Sequence, residues 1–254
     1  MPDRLRAAGF DIETRNHARA ILTTDFPEAL AELETALIDF RVDSAEIVGA
    51  GGGEAASTRR LRQALAAAGW LRHNFRIETL VDGRPRGRGT SHEIDHVRRA
   101  PAGAIALEIE WNNKDPFFDR DLENFQRLHA QSVISLGVIV TRGARLQAAL
   151  GAIVAAHLRR AGVTGPDDLV RVGIRHRTPR QRDKVAAATS RGESFAAAFA
   201  RAFVADKFGA ATTHWSKLAE RTARGVGNPC PLLLIGLPLS VVGDYSAASD
   251  ELYG

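Results

Sequence analysis

Residues 103–126 read GAIALEIEWNNKDPFFDRDLENFQ, an apolar run that ends in two glutamates one residue apart. Side chains of a strand alternate between its faces. Ile105, Leu107, Ile109 and Trp111 therefore form one wholly apolar face, and Ala104, Ala106, Glu108 and Glu110 form the other. The glutamates then stand side by side, roughly 7 Å apart along the strand. PFFDRDLENFQRLHAQ (116–131) changes to helical spacing, with Phe118, Leu122, Phe125 and Leu128 on one face. Asp115 is placed to cap that helix, and Pro116 suits its first turn.

Upstream, HEIDHV (92–97) reads as a second strand, joined to the first through the turn RRAPAG. Pairing through that turn brings Asp95 beside the glutamates, with His92, Ile94 and His96 on the opposite face. FRIETLV (75–81) alternates like a strand. Downstream, VISLGVIVTR (133–142) is a continuous apolar strand suited to a sheet interior, and a helix follows at 145–161. Further helices are expected at 26–40, 56–70, 193–209 and 213–225, and a last strand at CPLLLIGLPL (230–239). The order strand, strand, helix, strand, helix predicts an α/β core, a central mixed sheet flanked by helices.

Three carboxylates converging on one side of a sheet repel one another. At an effective dielectric near 20, two charges about 4 Å apart interact by roughly 4 kcal/mol. A hard divalent cation relieves this, and all-oxygen ligands suit Mg²⁺, with Mn²⁺ able to substitute. Such an ion activates water and stabilises charge on a phosphoryl oxygen, which is chemistry for cleaving a phosphodiester. The same spacing also suits the solvated face of an edge strand, and Asp115, Asp119 and Asp121 suit the first turn of any helix.

The 254-residue chain is long enough for one large domain, and 44% hydrophobic with 25% charged residues is the composition of a globular protein. A net charge of +4 permits an anionic partner such as nucleic acid without requiring one. A single cysteine, Cys230, excludes an internal disulfide and points to a packing role. The N-terminus lacks the apolar core of a signal peptide, and no run of about 18 apolar residues would span a membrane. The expectation is a soluble, cytoplasmic protein.

EIDHV (93–97) followed by IALEIEWNNKDPFFDRDLENF (105–125) resembles the PD-(D/E)XK nuclease superfamily, and more closely the BglII/BamHI branch of type II restriction endonucleases. AGGGEAASTRRLRQALAAAGW (50–70) and AERTARGVGNPCPLLLIG (219–236) also look like parts of that family. The resemblance implies a restriction-endonuclease-like core at about 45–160 and a DNA-recognition part at about 165–240 within one domain, 1–254. It implies a prokaryotic, Mg²⁺-dependent homodimer that cuts double-stranded DNA at a short palindromic site. Matched to the family motif, Asp95 and Glu108, with the main-chain carbonyl of Ile109, hold the metal. Glu110 occupies the position of the superfamily's lysine and orients or deprotonates the attacking water. An earlier acidic residue of the site corresponds to Glu78 or Glu54. Lys114 lies one alternation further on, within reach of the scissile phosphate or simply at the surface.

DNA contacts are expected from basic segments. RPRGRG (84–89) supplies Arg84, Arg86 and Arg88; residues 171–184 supply Arg175, Arg177, Arg180 and Arg182; Thr213, His214 and Lys217 open a helix. HEIDH (92–96) formally matches the H-E-x-x-H zinc signature, but that chemistry needs a helix and these residues favour a strand. The glycines at 51–53 are followed by no Gly-Lys-Ser/Thr, so they form no P-loop. Two alternatives stay open: a modification-dependent or repair nuclease of the same fold, and a DNA-binding module with a degenerate nuclease site.

Overall fold

Three largely buried strands lie next to one another in the middle of the sheet, where both faces are covered. In the computed structural model, which describes residues 2–49, 55–78, 80–86 and 89–246, they are β6 (Gly103–Glu110), β7 (Leu136–Arg142) and β8 (Leu232–Leu237), and they run parallel. Antiparallel strands complete the sheet: β1 (Asp11–Arg15) beside β8, then β5 (Thr90–Ala100) and β2 (Leu71–Ile77) beyond β6. The order is β1-β8-β7-β6-β5-β2. A separate hairpin, β3 (Leu80–Val81) and β4 (Arg84–Pro85), connects β2 to β5.

Helices cover both faces. In chain order they are α1 (Asp3–Ala7), α2 (Ala18–Asp25), α3 (Pro27–Ile38), α4 (Ser44–Gly49), α5 (Ala56–Ala67), α6 (Phe117–Ala130), α7 (Ala144–Arg160), α8 (Pro179–Thr189), α9 (Phe195–Lys207) and α10 (Trp215–Ala223). Ile105 and Leu107 of β6 pack into the larger core with Leu150 and Ile153 of α7 and Phe199 of α9. Ala104 and Ala106 face the smaller core with Phe118, Leu122, Phe125 and Leu128 of α6. The α6 residues are fully buried, and their spacing is why the segment docks as a helix. Gly137 of β7 lets α6 approach, because a Cβ there would collide with the Phe125 ring.

The sheet thus has the mixed, helix-flanked architecture that the spacing predicts, with local differences. The connection between β5 and β6 is tighter than RRAPAG: only Pro101 and Ala102 lie between the strands, with Gly103 at φ +138°. β2 begins earlier than expected and ends at Ile77. β1 is short and charged, with only Ile12 buried, so it carries little strand signal. With β8, it brings residues from outside 45–160 into the central sheet. Within the basic stretch 171–184, Thr178 caps α8 by accepting from the Gln181 amide at 3.1 Å, and Pro179 follows. Asp115 does not cap α6: it pairs with Arg221 of α10 at 3.1 Å. Glu54, Arg88 and glycines 51–53 lie outside the described residues.

Candidate active site

The acidic face of β6 opens into a cleft of about 610 Å³, bounded by β5, β6 and α6. Its floor is Glu108 and Glu110, respectively 4% and 3% exposed. Asp95 borders the same cleft, one residue before the last β5–β6 pair, His96 with Leu107, and its charge acts on Glu108. Asp95 is half-exposed and lies 3.8 Å from Arg72. Ile109 also borders the cleft.

A bulge in β5 decides which side chains join it. Against β2, His73 pairs with Ile94 and Leu71 with Val97, so β5 holds one residue more than its partner in that interval. Such an insertion re-aims side chains locally. Ile94 and Val97 both enter the core beneath α6, and His92 shares the cleft with Asp95 rather than the opposite face. Its Nδ1 is 2.9 Å from Asn124 Oδ1 of α6. His96 is buried, and burial lowers its pKa to about 4. The two histidines of HEIDH belong to a strand, not to one face of a helix, so the zinc-protease geometry is absent.

The site contains a carboxylate beyond those singled out by the strand pattern. Asp121 of α6, 1% exposed, acts electrostatically on Glu110, and its Oδ2 has no partner. The signal was its position three residues after Phe118 and four before Phe125, on the buried stripe of α6. Burial, then the charges of Asp121, Asp95 and Glu110, push Glu108 up to about 10. Burial and then Asp121 push Glu110 up to about 9. Asp121 is also raised, first by burial. Arg120 opposes all three shifts: its guanidinium is 2.8 Å from Asp121 Oδ1 and 3.6 Å from Glu110 Oε1.

The loop after β6 is fixed from beneath. Asn113 donates to Glu110 Oε2 at 2.7 Å, and its amide donates to Thr213 Oγ1 at 3.1 Å. Fully buried Arg142 donates to Asn112 Oδ1, Thr212 Oγ1 and the Thr213 carbonyl at 3.1, 2.8 and 2.7 Å. Burial alone lowers its pKa to about 9.

Other expected site residues lie elsewhere. Glu78 is outside the cleft, beyond β2, and pairs with Arg76 at 3.6 Å. Lys114 is exposed, bridged to Thr212, and does not border the cleft. Thr213 is fully buried and bonded to the Asn113 loop, so burial removes it from any DNA-facing surface. His214 precedes α10, and Lys217 pairs with Glu220 at 3.5 Å. Arg84 and Arg86 are exposed on the β3–β4 hairpin and just after it. Arg175, Arg177, Arg180 and Arg182 lie before and on α8, which packs on α9 as part of the core on the opposite face from α6. The cations bordering the carboxylates are instead Arg72, Arg120 and Arg127. Cys230 is buried, its thiol pushed up to about 12 by burial, as suits packing.

Among the described residues, no three His, Cys, Asp or Glu side chains are grouped closely enough to hold a metal ion as they stand. Asp95 instead lies 3.8 Å from Arg72. The donor chemistry nevertheless fits a hard divalent cation: oxygen ligands, buried, mutually repelling, with one carboxylate oxygen unpartnered.

A mixed sheet whose acidic central strand pairs with an antiparallel hairpin strand is consistent with the restriction-endonuclease-like core. Comparison with known families is specific: the profile described as Restriction endonuclease BglII/BglIII matches residues 10–237, and the chain belongs to that family. It is therefore a phosphodiester hydrolase of the type II, site-specific class acting on double-stranded DNA. No curated protein matches the chain. No helix among the described residues is long and apolar enough to cross a membrane.

Proposed function

We propose that the chain is a Mg²⁺-dependent restriction endonuclease that cuts both strands of a short palindromic site as a homodimer in a prokaryotic cytoplasm. The observation that carries this reading is the pair Glu108 and Glu110, buried side by side with Asp95 bordering the same cleft. Carboxylates this buried hold protons at neutral pH unless a cation compensates them.

In this reading Asp95, Glu108 and the Ile109 carbonyl hold the metal. When bound, the ion supplies charge neutralisation at the phosphoryl oxygens and lowers the pKa of water. Glu110 orients the attacking water and accepts its proton, with Asn113 fixing one of its oxygens. Asn124 fixes the His92 ring at the cleft wall. Arg72 and Arg127 offer positive charge to the DNA backbone beside the carboxylates. Two-fold symmetry follows from the target: a palindrome read by a dimer presents one cleft to each strand.

Incubation of purified protein with unmethylated phage DNA, with Mg²⁺ and with EDTA, tests the reading. Discrete fragments with Mg²⁺ alone are expected. No cutting, even with Mn²⁺ and with methylated DNA, would contradict it and favour a binding module.

A further inference from the structure

In the wider superfamily the position of Glu110 carries a lysine, whereas the branch that the chain resembles has glutamate or glutamine there, so β6 itself brings no cation to the cleft. Lys114 does not supply it, being outside the cleft. Arg120 does border the cleft, with a side chain 53% exposed. Its guanidinium lies 3.6 Å from Glu110 Oε1 through Nη2, and three further contacts hold it. Nε donates to Asp121 Oδ1 at 2.8 Å, Nη2 lies 2.8 Å from the same oxygen, and the Phe117 ring centroid is 4.3 Å from Cζ. No partner for Nη1 is found among the described residues. The head is thus anchored on one edge, backed by an aromatic ring, and free on the other edge. Such a rigid fork suits a phosphate oxygen better than a flexible ammonium does.

We propose that Arg120 is a catalytic residue whose guanidinium contacts the phosphate being cleaved, taking the place of the lysine absent at position 110, and that Asp121 is the positioning residue that aims it. This role rests on the nuclease reading above. During hydrolysis the water oxygen bonds to phosphorus and its proton passes to Glu110. The ester bond from phosphorus to the leaving oxygen breaks, and that oxygen takes a proton from solvent. Arg120 exchanges no proton: it balances charge growing on a non-bridging oxygen, stabilisation that acts chiefly in the transition state.

The test compares wild-type protein with R120Q and R120K under single turnover with Mg²⁺, and measures DNA binding separately in EDTA. R120Q is expected to lose about 10²–10³-fold in cleavage rate with DNA binding largely retained, and R120K to recover part of the loss. A target carrying sulfur in place of each non-bridging oxygen in turn adds a readout that a structural role would not move. One sulfur position should slow wild-type protein and have a much smaller effect in R120Q. Should R120Q melt early, R120Q/D121N removes the carboxylate left unpaired, and the same rate loss is expected. A wild-type rate in R120Q or in the double variant, with wild-type protein cutting, would overturn the role of Arg120 alone. Failure of wild-type protein to cut any DNA would overturn the nuclease reading, and this role with it.

Discussion

Glu108 is held by its surroundings in the wrong charge state for its chemistry. Its pKa of about 10, set by burial and neighbouring carboxylates, means that the folded chain binds a proton that an unfolded chain releases near 4.5. The native state binds more protons between those values, so stability falls as pH rises through this window. Below about 4.5 the effect is fully retained. Thermal melting in EDTA should therefore show a falling midpoint from pH 6 to 9, as the ordinary behaviour of a carboxylate raised by burial requires. Glu108→Gln, neutral at every pH, should flatten part of that slope, and Mg²⁺ should raise the midpoint most at the alkaline end. A slope identical in E108Q and wild-type protein would show that Glu108 is not the group responsible. At this scale the sequence was informative for β6, since alternation alone pairs Glu108 with Glu110. Asp121 and Arg120 were hidden for a physical reason: charged residues near a helix start are ordinarily at the surface, and only the docking of α6 buries Asp121.

Among the elements, α6 governs the site because it carries Asp121, Arg120 and Asn124 on a helix pressed against β6 and β7. Its contact with the sheet runs through Phe125 over Gly137. Gly137→Ala would force the ring or the whole helix outward, at a cost of roughly 1–3 kcal/mol as expected for overpacking. The prediction is a lower denaturation midpoint together with slower cleavage, because the shift carries Arg120 away from Glu110. Unchanged cleavage in a destabilised G137A protein would separate the packing of α6 from catalysis. The β5 bulge marks where reading from alternation stopped: one inserted residue between Ile94 and Val97 moves His92 into the cleft, and no Gly or Pro in HEIDHV announces it. Strand β1 escaped for the opposite reason, since DIETR sits at the sheet edge, where burial imposes little pattern.

Each chain brings one set of acids in the cleft between β5, β6 and α6, while cutting both strands of a duplex needs two reacting centres. The proposed homodimer, with a two-fold axis matched to a palindromic site, would supply the second. Analytical ultracentrifugation at micromolar concentration with target DNA should give two chains per duplex, and a single chain per duplex would contradict the proposed symmetry. The architecture at this scale followed from the apolar runs of β7 and β8, and from a β6 whose apolar residues are interrupted only by Glu108 and Glu110. Which arginines border the acids did not follow, because RPRGRG and the stretch around α8 are richer in charge than Arg72, Arg120 and Arg127, yet it is the latter that the fold gathers around the cleft. The central claim is that the buried acids of β6 are the cleavage centre. Its most direct test is digestion of phage DNA with Mg²⁺ by wild-type protein and by Glu108→Ala and Asp95→Ala variants of confirmed fold. Discrete fragments from wild-type protein, and intact but still specifically bound DNA with either variant, are expected; cutting at a near wild-type rate by either variant would contradict the account.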